Sequence, residues 1–112
     1  MSQRPNILIT NDDGLFAPGI KELWKALSLV ADLTVVAPMS EQSAVGLSIT
    51  IREPLKIEAI KWSNGAMVWG INGTPADCVK MGLSVILETQ PNLVVSGINR
   101  GSNAGRNLLY SG

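Results

Sequence analysis

Three short apolar runs constrain this chain most: Ile7-Leu8-Ile9, Leu33-Thr34-Val35-Val36-Ala37 and Leu93-Val94-Val95. A strand with one wet face alternates apolar and polar side chains, whereas near-continuous runs belong to strands covered on both faces, as in parallel sheets between layers of helices. Between the first two runs, Ile20, Leu23, Trp24 and Leu27 recur at i, i+3, i+4 and i+7, with Lys21, Glu22 and Lys25 on the other face. That spacing predicts an amphipathic helix opening at Pro18, and strand, helix and strand together make a right-handed βαβ unit.

Further along, Ser48–Arg52 can be extended, and Leu55–Ile60 and Met67–Ile71 flank Ser63-Asn64-Gly65 as a hairpin or meander. Thr74-Pro75-Ala76-Asp77 reads as a helix start, with a hydroxyl to cap, proline at the first helical position and an acid three residues after the cap. The helix is expected to run to about Thr89, with Cys78, Val79, Gly82, Val85 and Ile86 as its inner stripe, and Pro91 marks its end. Ser96 to Gly112 reads as a glycine-rich loop. The pattern predicts an α/β fold with a mainly parallel sheet.

At 112 residues the chain has the length of one domain of roughly 100–150 residues. It ends inside the glycine-rich loop, and we expect residues 1–112 to be the N-terminal portion of a single larger domain. Two long helices for a sheet that needs cover on both faces predict one bare apolar face, and hence a 112-residue chain that is oligomeric or poorly soluble and weak in activity.

Composition narrows the chemistry. Hydrophobic residues at 46% and charged residues at 16% exclude intrinsic disorder. Nine basic residues balance nine acidic ones, which argues against a nucleic acid polymer as partner. With no histidine and one cysteine, Cys78, there is no basis within the chain for a disulfide, a His- or Cys-rich zinc site, or Ser-His-Asp or Cys-His catalysis. No apolar run approaches the roughly 20 residues of a membrane span, and the expected location is cytoplasmic.

Three polar clusters follow the three apolar runs: Asn11-Asp12-Asp13-Gly14, Ser40-Glu41-Gln42-Ser43 and Ser96-Gly97-Ile98-Asn99-Arg100-Gly101. Each taken alone reads as a turn, in which Asp, Asn and Ser bond the local backbone. If the three strands are parallel, however, the clusters share the carboxyl edge of the sheet, where open α/β sheets bind ligands. Two carboxylates, a hydroxyl and an amide oxygen form an all-oxygen set suited to Mg²⁺ or Mn²⁺ rather than zinc. The last cluster adds Arg100 and small residues that expose backbone N–H groups, a plausible phosphate cradle beside a metal. It is neither G-x-x-x-x-G-K-[ST] nor G-x-G-x-x-G.

At these residues the chain resembles the SurE family of survival proteins, the 5'/3'-nucleotidases. The resemblance rests on Ile7-Leu8-Ile9-Thr10-Asn11-Asp12-Asp13-Gly14, Pro18-Gly19-Ile20, Val35-Val36-Ala37-Pro38 with Ser43 and Gly46, and Ser48-Ile49-Thr50. It continues through Gly73-Thr74-Pro75-Ala76-Asp77-Cys78-Val79, Ser96-Gly97-Ile98-Asn99-Arg100-Gly101 with Asn103 and Gly105, and Tyr110-Ser111-Gly112. It implies a Rossmann-like three-layer α/β/α fold, of which this is the N-terminal part. It also implies a phosphatase that hydrolyses nucleoside monophosphates, 5' and also 3', and in some members short polyphosphate, with one divalent metal ion per subunit.

By the same resemblance the metal ligands are Asp12, Asp13, Ser43 and Asn99. Asp12, Asp13 and Asn99 are the catalytic residues, and Asn11, Gly97, Arg100, Gly101 and Ser111 are expected to contact substrate or phosphate. The full-length protein is expected to form a homo-oligomer, a dimer or tetramer, and to act in stationary-phase survival. Two alternatives stand beside this reading. One is an aspartyl-phosphate phosphatase of the haloacid dehalogenase type, disfavoured because its acids sit at i and i+2 whereas Gly14 occupies i+2 here. The other is a catalytically weak or inactive nucleotide- or metal-binding fragment.

Overall fold

In a computed structural model, the residues described are 4–41 and 54–99, together with the backbone of a strand at Leu108–Tyr110. The elements run β1 (Asn6–Thr10), α1 (Pro18–Leu27), β2 (Asp32–Pro38), β3 (Ile57–Lys61), β4 (Met67–Ile71), α2 (Pro75–Met81), β5 (Leu93–Ser96) and β6 (Leu108–Tyr110). The six strands form one sheet in the order β3-β4-β2-β1-β5-β6. β1 pairs parallel with β2 and with β5, and β2 pairs parallel with β4. The outer strands β3 and β6 are antiparallel to their neighbours. The apolar runs are thus strands of a mostly parallel sheet, as their lack of alternation predicts.

The core has two halves, one on each face. Ile7, Ile9, Val35, Ala37, Val68 and Val95 point toward α1 and meet Ile20, Leu23, Trp24 and Leu27. Leu8, Val36 and Ile71 point the other way and meet Cys78 of α2. The helices lie on opposite faces because the connection from β1 to β2 moves one way along the sheet and that from β4 to β5 moves back past β1. The architecture is three-layer α/β/α, and the expectation of one bare face is corrected: each face carries a helix. What stays open on the α2 face is a hollow of about 270 Å³ beside β1 and β5, lined by Thr10, Val79, Leu83 and Val94.

Both helix starts follow the sequence, though differently. Thr74 accepts a hydrogen bond from Asp77 N–H at 3.1 Å while the Asp77 carboxylate accepts from Thr74 N–H at 3.0 Å, the reciprocal capping box. At α1 the cap is Ala17, with no side-chain hydrogen bond, followed by Pro18. The C-terminal end of α1 is closed by a residue the sequence did not flag: Arg4 Nη2 donates to the carbonyls of Ser28 and Ala31, both at 2.8 Å.

Two expectations are corrected here. α2 does not continue regularly to Thr89: it ends at Met81 and passes into a π-helical turn over Gly82–Ile86, closed by Leu87 N–H to the Gly82 carbonyl. The wider turn makes later residues lag the α-helical phase, so Val85 leaves the expected inner stripe and is 58% exposed, while Leu83 and Ile86 pack inward. Residues 96–112 are not all loop, because Leu108–Tyr110 pairs with β5. Three residues are too short a run to signal a strand by pattern. The extended reading of Ser48–Arg52 lies outside the described residues.

Cys78 lies wholly inside the second half-core, and burial pushes its thiol up to about 12, with the nearby Thr10 hydroxyl pulling in the opposite direction. Thiolate is the reactive form, so in the native full-length protein Cys78 should resist alkylation at pH 8 and react once denaturant is added. Above about pH 9 the unfolded thiol ionises while the folded one stays protonated. The unfolded state then binds fewer protons, and Cys78 lowers stability as pH rises from about 9 toward 12. A mass-spectrometric alkylation time course checks the first point, and urea midpoints across that range for wild type and Cys78→Ala check the second.

Candidate active site at the sheet switch point

Neighbouring parallel strands whose connections leave in opposite directions create a crevice beyond their carboxyl ends. Here those strands are β1 and β5. The junction is drawn tight by Gly97 N–H donating to the Thr10 carbonyl at 2.9 Å. From it, residues 11–17 lead into α1, and residues 97–99 come to lie against the first turn of the same helix.

The first of these loops is pinned at several points. Asn11 is fully buried and clamps the turn from both sides: its Nδ2 donates to the Gly14 carbonyl at 2.9 Å and its Oδ1 accepts from Gly14 N–H at 3.1 Å. Gly14 has φ +105°, and a Cβ there would meet the Ser40 and Glu41 backbone at 3.2 and 3.3 Å. Glycine therefore serves both the turn and the close approach of the loop after β2. Leu15 is fully buried; its N–H donates to the Pro38 carbonyl at 2.8 Å and its carbonyl accepts from Trp62 Nε1 at 3.1 Å. Trp62 stands edge-on to Trp24 of α1, with ring centroids 6.3 Å apart. No spacing rule in the sequence reveals that the Trp62 indole reaches 47 positions back.

These constraints bring the strand-end residues together. Asn99 Nδ2 donates to Asp12 Oδ2 at 3.4 Å across the switch point. Asp13 and Asn99 both line a cavity of about 500 Å³, walled by the first turn of α1, Phe16, Met39, Ile98 and the Ser40-Glu41 pair. Two of the cavity's lining residues, Asp13 and Glu41, are acidic, and none of those described is basic. At its α1 wall the helix has neither a side-chain cap nor an acid in its first turn, so its N–H groups and dipole favour negative charge there.

Of the metal set inferred from the sequence, Asp12, Asp13 and Asn99 converge, while Ser43 lies outside the described residues. Among the described residues no group of three or more His, Cys, Asp or Glu could hold a metal. A metal held at this edge would have two carboxylates and neutral oxygens as its donors. Adjacent carboxylates at a solvent-open strand end, with an amide alongside, fit a hard divalent cation.

Two expected phosphate contacts are otherwise engaged: the Asn11 side chain is buried in its turn, and Gly97 is buried with its N–H bonded to Thr10. Both shape the site from behind. Arg100, Gly101 and Ser111 lie outside the described residues.

Comparison with known proteins decides the ancestry. The family model described as "Survival protein SurE" matches residues 7–112. The chain belongs to the SurE family. It is similar to 5'-nucleotidase SurE of Protochlamydia amoebophila (strain UWE25), at 61% identity over the whole of this chain and 43% of that protein. It is also similar to 5'-nucleotidase SurE of Heliobacterium modesticaldum (strain ATCC 51547 / Ice1), at 50% identity over 95% of this chain and 39% of that one. The crystal structure of SurE from Aquifex aeolicus superimposes with a TM-score of 0.71 at 48% identity, covering 91% of this chain and 40% of that chain. The chain thus spans about two fifths of the length of the SurE relatives it matches.

Two substitutions test how this SurE site is held. A Cβ on Gly19 would run into the carbonyl of Ile98. Alanine is otherwise a good helix residue, but the obstructing atom is backbone and must shift, so Gly19→Ala should lower the thermal midpoint of the full-length protein. If the full-length protein hydrolyses phosphate esters, displacing residues 98–99 should also lower its kcat/KM by about tenfold or more. Trp62→Phe keeps the ring but leaves the Leu15 carbonyl without its donor, and should cost about 1–3 kcal/mol in urea unfolding.

Proposed function

We propose that the full-length protein is a divalent-metal-dependent phosphatase that hydrolyses nucleoside monophosphates to nucleoside and phosphate, acting on 5' and also 3' esters and on short polyphosphate. The observation that carries the reading is the meeting of Asp12, Asp13 and Asn99 at the switch point, beside a cavity whose described lining holds acids and no base. A phosphate dianion is repelled by such a wall unless a cation lies between them. Family membership and relatives named 5'-nucleotidase SurE support the same chemistry.

Asp12, Asp13, Ser43 and Asn99 would hold one Mg²⁺ or Mn²⁺ ion per subunit. When bound, the ion supplies Lewis-acid polarisation of the phosphoryl group. The chain's own residues do the rest. Asn99 orients the Asp12 carboxylate from across the crevice. The Asn11 clamp and the Leu15 anchor fix the acidic turn, so that its charge needs little reorganisation during reaction. The first turn of α1 offers N–H groups to phosphoryl oxygens entering the cavity. Arg100, Gly101 and Ser111 are the further phosphate contacts proposed. Among the described residues no helix is long and apolar enough to cross a membrane. We assign the protein to the cytoplasm, as a homo-oligomer, dimer or tetramer, with a role in stationary-phase survival.

Asp12→Asn in the full-length protein should reduce adenosine monophosphate hydrolysis at least about 10²-fold without altering the circular dichroism spectrum. EDTA should silence the wild type, and added Mn²⁺ should restore it. Full activity in EDTA would refute the metal-dependent mechanism.

A further inference from the structure

Phe16 is unexplained by the fold. It is 53% exposed in a segment whose neighbours are held firmly, since Leu15 is wholly buried and Ala17 N–H donates to the Gly14 carbonyl at 3.2 Å. It lines the same cavity as Asp13 and Asn99. Ile98, 42% exposed, and Met39 continue its apolar wall. An aromatic ring left in water on a pinned loop, a few residues from a phosphate-handling edge, is a presented surface rather than a packing residue. The cavity's volume of about 500 Å³ falls in the usual range for small-molecule sites, roughly 300–1,000 Å³.

We propose that Phe16 is the nucleobase platform of this site, stacking the base of a nucleoside monophosphate whose phosphate lies toward Asp13 and Asn99. The assignment rests on the phosphatase reading and adds to it the residue that recognises the nucleoside. The occupant follows from the juxtaposition: the cavity's lining carries the acids Asp13 and Glu41 together with a half-exposed flat ring and its aliphatic neighbours. A ligand that satisfies both carries a phosphate and a planar aromatic group. Phenylalanine offers a face and no hydrogen bond, so it holds any base by stacking and favours purines through their larger area. Met39, unbranched and polarisable, lets the wall adapt to bases of different outline.

The test compares ligands with and without a base on full-length protein in Mn²⁺. Dissociation constants for adenosine monophosphate and ribose 5-phosphate, each as its non-hydrolysable methylenephosphonate analogue, are measured by calorimetry for wild type, Phe16→Ala and Phe16→Tyr. The wild type should bind adenosine monophosphate more tightly than ribose 5-phosphate by about 5- to 100-fold. Phe16→Ala should remove most of that ratio by weakening adenosine monophosphate alone, and Phe16→Tyr should retain it. Equal affinities in the wild type, no detectable binding of either ligand, or a Phe16→Ala variant that weakens both equally would overturn the assignment. The last of these would make Phe16 a structural contact. Hydrolysis is scored separately: a wild type that shows the base-dependent ratio but releases no phosphate sinks the phosphatase reading and leaves the platform standing.

Discussion

The site depends on the anchoring of Leu15. Its side chain is sealed in the core, its N–H is held by the end of β2, and its carbonyl is held by an indole from just beyond β3. A buried peptide unit must find partners for both its polar groups or forfeit the cost of desolvating them. Here the partners come from distant parts of the chain, so the loop after β1 takes its shape from the whole sheet. Asp12 and Asp13 precede the anchor and Phe16 follows it, and both sides inherit its rigidity.

Close backbone approach does the remaining positioning. Gly14 lets the loop after β2 rest on the loop after β1, and Gly19 lets Ile98 rest on the first turn of α1. Loops from three parallel strands thereby share one space without long side chains between them. The two helix starts divide the labour. α2 satisfies its own N-terminus through Thr74 and Asp77, whereas α1 leaves its first turn uncapped where it lines the cavity. A capped end stabilises the fold, and an uncapped end keeps donors for an anion.

The electrostatics of the cavity set the terms for chemistry. Acid on its described wall would disfavour a phosphate dianion, and in the proposed reading a divalent cation would lie between them. The oxygen-only character of the proposed donors, in a chain without histidine, would suit hard cations better than zinc.

Much of this was legible in the sequence. Apolar runs without alternation determined a parallel sheet, the i, i+3, i+4, i+7 spacing determined α1, and Thr74-Pro75-Ala76-Asp77 determined where α2 begins. Those signals are local: each rests on periodicities and capping bonds within a few residues. The placement of Asp12, Asp13 and Asn99 on one edge followed once the strands were taken as parallel. Tertiary structure alone decided the rest. The helix widens into a π turn at Gly82, which lies close against Leu8 and Val36, and Val85 swings outward, neither of which local periodicity records. That Asn11 is a clamp in its turn, that Trp62 serves a loop far back in the chain, and that each sheet face receives its own helix were likewise settled by pairing between distant segments. Periodicity records which side chains avoid water, but not which distant group will satisfy a buried carbonyl, and that choice exists only once the strands have been ordered.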